Sequence, residues 1–497
     1  MDNIVHNLIY SFLEEVLAHN DNYPTKLSLL FYSYFQMFYN IGCLCNQNTQ
    51  LSADRVLIPN WFNELKIQLQ HVINKEDFLK NMLFYGHIGF LTSLYNNFDK
   101  TKYKISDFGI KDIKLSNIII QKIFNWGSNH FTGKITDLEQ LKSDTYYTGM
   151  LADNSGNIDF ITENPNKWTN LIVPNGIYNE NGTPIVDINA NSTYEIQNFN
   201  NKNWWLNKGF SIHPSIEPIL NLDEKISTSW ENGFKNQSEK LLKIYHNLDD
   251  RKKIIAELFS FDSKDNVSIA GFWVIIAMML SFKNNQTIEN DIIMFFILGA
   301  GLLDSSISAW TYKAKYEQPR PISIIRLFLK NEIIQSWNPT INSVIHGKQW
   351  LPYQKLTSVS PPHPDLADIN TVFSTISGSI LEWWFNNPNL YHSFKLFTLP
   401  NPHLISNILN KQYKSYSIGE FLVEKGASNI EQNLTPTQTI ILKYQTINEL
   451  IDDISMSSIY GGISWPESIE LSSEIGKYVF QKIKSKIENV YKIKIPY

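Results

Sequence analysis

Two apolar stretches constrain the fold of this chain more than any other feature. Residues 267–282 and 292–303 are almost uninterrupted runs of apolar side chains. Both are shorter than the roughly 20 residues that a helix needs to cross a bilayer, so the sequence predicts no membrane span. A helix that is apolar on every side must be covered on every side, which indicates a large helical core. A chain of 497 residues with 43% hydrophobic side chains is long enough to provide one.

Helical periodicity recurs along most of the chain. Near the N-terminus, Ile4, Leu8, Phe12 and Val16 fall on one helix face, and Pro24 opens a second run of the same period. Apolar spacing and capping residues predict helices over 3–18, 24–41, 78–96, 250–259, 265–282, 289–316, 369–385, 436–454 and 468–487.

A single domain is predicted over residues 1–497, with three parts. Helices occupy 1–126, an irregular wrapping connection follows over 127–225, and a C-terminal helical bundle occupies 226–497. The connection is assigned from its clustered Asn, Gly, Pro and Thr, which are turn-forming residues. Two Asn-rich stretches are interpreted as insertions specific to this protein: 175–203 and 387–434.

The net charge, the cysteine content and the N-terminal residues indicate which classes of partner and which cellular location to expect. The net charge is −5 without a concentrated basic stripe, which argues against nucleic acid as a partner. The first residues have no basic region before an apolar core, so no signal peptide is predicted. Cys43 and Cys45 are too close for an ordinary disulfide, and two ligands are too few for a zinc site. An intracellular, reducing location is therefore predicted.

Three short motifs carry a family resemblance, and the first contains two cations. Lys313 is followed, after six residues, by Arg320 and Pro321, with Asp304 and Trp310 upstream. This stretch resembles the first motif of the superfamily of vanadium-dependent haloperoxidases and type-2 phosphatidic acid phosphatases, in its soluble haloperoxidase-like branch. In that family the Lys and the Arg bind vanadate or phosphate, so Lys313 and Arg320 are the expected remnant of an anion site.

The second motif retains the segment that leads into the reactive residues but not the reactive residues themselves. Residues 360–365 read Ser-Pro-Pro-His-Pro-Asp, which resembles the segment that precedes Pro-Ser-Gly-His in the family. In this register Asp368 replaces the Ser, and Asn370 replaces the His that acts as general acid and base in the family. An amide side chain does not transfer protons near neutral pH.

The third motif shows the same pattern of loss. Residues 457–465 read Ser-Ser-Ile-Tyr-Gly-Gly-Ile-Ser-Trp and resemble the family's Ser-Arg-Ile-Tyr-Gly-Gly-Ile-His-aromatic. Ser458 replaces the second Arg, and Ser464 replaces the His that bonds the metal or the phosphorus. Ser468 falls where the acid that orients this His is expected. The resemblance covers most of the chain and is strongest between 304 and 465.

The resemblance implies a fold and a state of the site. The family fold is all-α, with two four-helix bundles side by side around a buried anion pocket, here with long irregular insertions. A carboxylate at 368 would repel a bound oxyanion by several kcal/mol at low effective dielectric. We therefore expect Asp368, together with Asp365, to neutralise Lys313 and Arg320 in an internal salt-bridge cluster.

The first of three possible functions is that of a catalytically inactive relative with a structural or interaction role. It predicts protein partners or self-association, a homodimer being one form, and no cofactor. Abundant Asn, Ile and Lys are typical of AT-rich coding, as in amoebal giant DNA viruses, some protists and some AT-rich bacteria. This bias favours a giant virus as the source and its virion as the location.

Two other functions stay open. The first is an active haloperoxidase or phosphatase with vanadate or phosphate in a rearranged site, which requires a substitute His such as His363 or His346. The second is a small-anion or ligand-binding module that uses the old pocket, with aromatic walls formed by Trp310, Tyr316 and Trp465.

Overall fold

The structure is a computed structural model. It describes residues 4–19, 24–45, 63–65, 67, 74–95, 97–113, 122, 165–168, 172–174, 194–196, 209–214, 220–261, 268–338, 344–355, 359–361, 363–390, 414–417 and 419–496. Within these ranges the helices are α1 (Ile4–Ala18), α2 (Pro24–Cys45), α3 (Lys75–Leu94), α4 (Phe234–His246), α5 (Asp250–Leu258), α6 (Ile269–Lys283), α7 (Ile288–Tyr316), α8 (Pro321–Phe328), α9 (Ile369–Phe385), α10 (Ile447–Tyr460) and α11 (Pro466–Lys486). The chain is thus mostly helical, and the predicted all-α class is confirmed.

The strands are short and form three small antiparallel sheets in the described part of the chain. They are β1 (Ile172–Pro174) with β2 (Tyr194–Ile196), β3 (Ile333–Gln335) with β4 (Val344–His346), and β5 (Lys414–Ser417), β6 (Glu420–Val423) and β7 (Ile440–Lys443) in that order. The predicted irregular connection and the predicted insertion 175–203 lie largely outside the described residues, and half of the predicted insertion 387–434 does. The division of the chain into three parts remains a prediction.

The helix α7 is the centre of the molecule. It packs against α2 on one side and against α9 and α11 on another. Nearly every residue from 291 to 310 is buried, which explains why this helix is apolar around its whole circumference. A Cβ at Gly299 would lie 3.1 Å from the Cα of Tyr32, so the close approach of α7 to α2 depends on this glycine.

One long apolar stretch meets the criteria for a membrane span. Residues Ile288–Phe328, which contain α7 and α8, are long and apolar enough to cross a bilayer. All of the most apolar window of this stretch is buried inside the molecule. The core helix of a folded domain satisfies the same criteria, so this stretch is weak evidence for a membrane.

The helix predicted over 436–454 is wrong at its start. Residues 440–443 form β7, which pairs antiparallel with β6, and its exposed Ile441 and buried Leu442 alternate as in a half-buried strand. The helix begins at Ile447, where Thr446 Oγ1 accepts a hydrogen bond from Glu449 N at 3.1 Å in a capping box. Local capping therefore decides the boundary that apolar spacing placed too early.

Two helices near the site were not predicted from the sequence. They are α4 and α8, and both contribute to a second hydrophobic cluster that includes Phe234, Ile325, Trp350 and Trp465. The helix α8 has only 8 residues, which is too short for its periodicity to be recognised in the sequence. Pro321 at its first position was the available signal.

A buried carboxylate attaches the connecting segment to α7. Asp304 is fully buried, and its Oδ1 accepts a hydrogen bond from Phe210 N at 2.5 Å. Its Oδ2 accepts from Ser211 N at 2.8 Å. Burial raises the pKa of Asp304 from 3.8 to about 6, and the hydrogen bonds from Ser211 and Phe210 oppose that rise.

This shifted pKa predicts a dependence of stability on pH. Between pH 4 and 6 the folded state retains the Asp304 proton while the unfolded state loses it, so stability falls as pH rises. Two pKa units correspond to about 3 kcal/mol. Chemical denaturation of the protein and of Asp304→Asn from pH 4 to 7 measures this contribution as a difference. If the free energy of unfolding of the unsubstituted protein instead increases relative to that of Asp304→Asn as pH rises, the assignment is contradicted.

Candidate functional site

The structure brings the two cations of the first motif against the loop of the second. Lys313 lies in the last turn of α7 and is fully buried. Its Nζ donates to the backbone carbonyl oxygens of Pro364, at 2.7 Å, and Asp365, at 2.9 Å. Arg320 precedes Pro321 as the N-cap of α8 and is 3% exposed. Both cations thus lie inside the protein and bind its own loop.

The guanidinium of Arg320 connects two motif loops. Its Nε donates to the carbonyl oxygen of His363 at 3.0 Å. Its Nη1 donates to Asp365 Oδ1 at 3.1 Å and to the carbonyl oxygen of Ile463 at 2.6 Å. Its Nη2 lies 2.9 Å from His363 Nδ1. Nitrogen atoms on every side of the guanidinium therefore have protein acceptors.

Asp365 is the carboxylate at the centre of this arrangement. It is fully buried, and besides the ion pair with Arg320 its Oδ2 accepts from Trp465 N at 2.9 Å and from Ser468 Oγ at 2.8 Å. Burial raises the pKa of the Asp365 carboxyl, while the charges of Arg320 and Lys313 oppose the rise. Trp465 is the N-cap of α11, so the positive end of that helix also faces the carboxylate.

The expected salt-bridge cluster exists, but its acidic member is Asp365 rather than Asp368. Asp368 Oδ1 accepts from Thr371 N and from Thr371 Oγ1, each at 2.8 Å, as the N-cap of α9. Its Oδ2 accepts from Ser464 Oγ at 3.1 Å. Within the described residues Asp368 forms no ion pair with either cation. The need to cap α9 turns this side chain away from Arg320.

Three of the other replaced positions are Ser464, Asn370 and Ser458. Ser464 is fully buried, and its Oγ lies 3.4 Å from Arg320 Nη1. Asn370 donates from Nδ2 to the carbonyl oxygen of Phe259 at 3.2 Å, at the end of α5. Ser458 is buried, and its Oγ has no hydrogen-bond partner among the described residues. In this arrangement Ser464 and Asn370 have contacts that hold the fold together.

His363 is the nearest candidate for a substitute catalytic histidine. Burial lowers its pKa well below the usual range, and the charges of Lys313 and Arg320 lower it further. A neutral imidazole that accepts from Arg320 at Nδ1 carries its proton on Nε2. The Nδ1 lone pair, which a general base would need, therefore accepts the hydrogen bond from Arg320 Nη2. The second candidate, His346, lies exposed on the β3–β4 hairpin.

The aromatic residues proposed as pocket walls are bonded to neighbouring protein groups. Trp310 Nε1 donates to Thr25 Oγ1 at 2.9 Å, and Trp465 Nε1 donates to the carbonyl oxygen of Pro319 at 2.8 Å. Both indole rings are buried. Tyr316 is half-buried, and its hydroxyl donates to Asp223 at 2.8 Å. All three residues behave as parts of the packed structure.

The residues present do not fit a bound vanadate or phosphate. A tetrahedral oxyanion carries two or three negative charges and needs several cations and oriented donors. Here the Asp365 carboxylate already lies 3.1 Å from Arg320 Nη1, and its charge has the same sign as the oxyanion's. The described residues also contain no group of three or more His, Cys, Asp or Glu that could hold a metal ion. We therefore derive no reaction step through such a group.

Backbone donors and acceptors were missed by the sequence analysis. The peptide N–H of Trp465 and the carbonyl oxygen of Ile463 both contribute to the cluster. A sequence motif specifies side chains and carries no information about the positions of main-chain groups. The available signal was Pro466, which marks the first residue of a helix whose N-terminus attracts an anion.

The fold is that of the helical vanadium haloperoxidases. An apo-type bacterial vanadium-dependent chloroperoxidase is 13% identical, with a TM-score of 0.65 over 94% of this chain and 96% of that chain. Its holo-type counterpart is 14% identical, with a TM-score of 0.62 over 94% and 93%. A bacterial vanadium-dependent iodoperoxidase is 13% identical, with a TM-score of 0.59 over 97% and 96%.

Sequence comparison adds a match to the C-terminal part of the chain. Residues 293–492 match the VCPO second helical-bundle domain, the part of the chain that contains all three motifs. This match covers less than half of the chain, and together with the shared fold it supports a similarity to the superfamily of vanadium haloperoxidases and type-2 phosphatidic acid phosphatases. A search of curated proteins finds no match.

Proposed function

We propose that this protein is a catalytically inactive haloperoxidase-like protein that has kept the fold for a structural or interaction role. The observation that carries the proposal is the buried ion pair between Arg320 and Asp365, with 3.1 Å between Nη1 and Oδ1. It places a protein carboxylate against the cation that the first motif supplies. An oxyanion would have to displace this carboxylate and leave it buried without its partner, at a cost of several kcal/mol.

The positions of the lost reactive groups support the same conclusion. Ser464 stands where the family's bond-forming His is expected, and its hydroxyl donates to the cap residue Asp368 at 3.1 Å. A carboxylate is too weak a base to activate a serine hydroxyl by itself. Both side chains are buried, at 0% and 5% exposure, so a substrate has no direct approach to them.

The proposed role extends to partners and location. A protein kept for its shape acts through its surface, so protein partners or self-association, including a homodimer, are its expected interactions. The Asn-, Ile- and Lys-rich composition supports a giant-virus source, and we place the protein in the virion. No cofactor is part of this proposal.

The proposal predicts that the purified protein lacks the reactions of the family. Bromide-dependent peroxidase activity with added vanadate and hydrolysis of p-nitrophenyl phosphate are both expected at the level of buffer. Vanadate binding measured by calorimetry is expected to be undetectable. Robust turnover that disappears in Lys313→Ala would overturn the proposal. A high copy number in purified virions would support the structural role.

A further inference from the structure

We propose that the cluster around Asp365 is a carboxylate-binding cage, and that Asp365 is its built-in ligand. The cage consists of Lys313, Arg320, Trp465 and Ser468. The inference deepens the proposed function and rests on it, because a cage filled by the protein's own carboxylate is closed to a cofactor. It adds the chemical class that the cage accepts: a small planar carboxylate rather than a tetrahedral oxyanion.

The donors for the two carboxylate oxygens come from the N-terminal ends of two helices, α8 and α11. Arg320 Nη1 donates to Oδ1 at 3.1 Å, from the start of α8. Trp465 N and Ser468 Oγ donate to Oδ2 at 2.9 and 2.8 Å, from the first turn of α11. The helix α11 has 21 residues, and its N-terminal dipole adds to the positive potential. Two oxygens are thus held with ordinary hydrogen-bond geometry.

The cage lacks donors for further oxygens of a tetrahedral anion. Ser458 stands where the family's second Arg would approach, and its short side chain carries no charge. Ser464 Oγ is turned to Asp368 Oδ2 at 3.1 Å. A third anion oxygen beside Ser464 would therefore approach a second carboxylate. The two Asp365 oxygens accept hydrogen bonds from Arg320, Trp465 and Ser468.

The cations of the cage are held independently of the carboxylate side chain. Lys313 Nζ donates to two backbone carbonyl oxygens, and Arg320 Nε donates to the carbonyl oxygen of His363 at 3.0 Å. These bonds remain if the Asp365 side chain is shortened. A variant without the carboxylate is therefore expected to retain a preorganised site with the size of one carboxylate group.

The test is rescue of Asp365→Ala by formate. This substitution removes the carboxylate group and leaves space for one formate ion. We expect formate to raise the Tm of Asp365→Ala by about 3–5 °C in a saturable manner, at constant ionic strength with chloride as the balance. The unsubstituted protein and Asp365→Asn, whose cages are both filled, are expected to show no such rise. Sulfate and phosphate are expected to act more weakly than formate.

Several outcomes would overturn the inference. A response of Asp365→Ala to formate no larger than that of Asp365→Asn would do so, as would a stronger response to sulfate or phosphate than to formate. If Asp365→Ala does not fold in chloride, recovery of folded protein from denaturant in formate becomes the measurement. Equal recovery in chloride, or none in either salt, then contradicts the cage. Vanadate-dependent activity of the unsubstituted protein would instead contradict the proposed function.

Discussion

Replacement of Asp365 by Asn is expected to lower the free energy of unfolding by about 3–5 kcal/mol. The substitution preserves shape but leaves the guanidinium of Arg320 buried without its counterion. It also places an amide N–H group, or a weaker neutral acceptor, against Arg320 Nη1. Equilibrium denaturation in urea of the variant and the unsubstituted protein measures the loss.

An exposed ion pair supplies the control for this prediction. Lys225 and Glu474 are joined at 2.6 Å, with side chains 53% and 44% exposed. Glu474→Gln is expected to cost less than about 1 kcal/mol. The double variant Arg320→Met/Asp365→Leu is expected to be more stable than the sum of its single substitutions implies. A cost for Asp365→Asn similar to that for Glu474→Gln would show that the buried pair contributes little.

Truncation of Trp465 to Ala is expected to destabilise the protein by about 3–5 kcal/mol. The indole is fully buried, packs at 5.7 Å between ring centroids against Phe234, and donates to the carbonyl oxygen of Pro319. Its removal leaves a cavity where α11 begins, next to the backbone N–H that holds Asp365. Thermal and chemical denaturation both report the change.

Two matched substitutions separate the contribution of the buried indole volume from that of the hydrogen bond to Pro319. Trp465→Phe removes the bond to Pro319 but keeps most of the ring, so it is expected to cost less than Trp465→Ala. Trp383 is half-buried, with Lys484 Nζ 5.4 Å from its ring centroid, and Trp383→Ala is expected to cost less again because it leaves a smaller buried cavity. Equal losses for Trp383→Ala and Trp465→Ala would contradict the assignment of Trp465 to the core.

The two cations of the first motif are bound by other groups of the protein. Lys313 and Arg320 remain buried, yet their acceptors are now loop carbonyls and the Asp365 carboxylate. Both charges are thus satisfied by groups of the protein itself.

The sequence by itself determined the helical class, most of the long helices and the segments that meet at the site. Apolar spacing locates a long helix because burial repeats with the period of the helix. Asp368 caps α9 through a hydrogen bond from Thr371 N, an interaction that depends on neighbours within one turn. The start of α10 and the short helix α8 were missed, because a few residues carry too little periodicity.

Only the tertiary structure decided which carboxylate forms an ion pair with Arg320. Both Asp365 and Asp368 lie in the same motif, and their spacing does not distinguish them. The choice depends on the direction of each side chain: Asp368 caps its own helix, while Asp365 meets Arg320, Trp465 and Ser468 from distant parts of the chain. Local hydrogen bonds are determined by adjacent residues, whereas a buried ion pair needs elements that only folding brings within 4 Å.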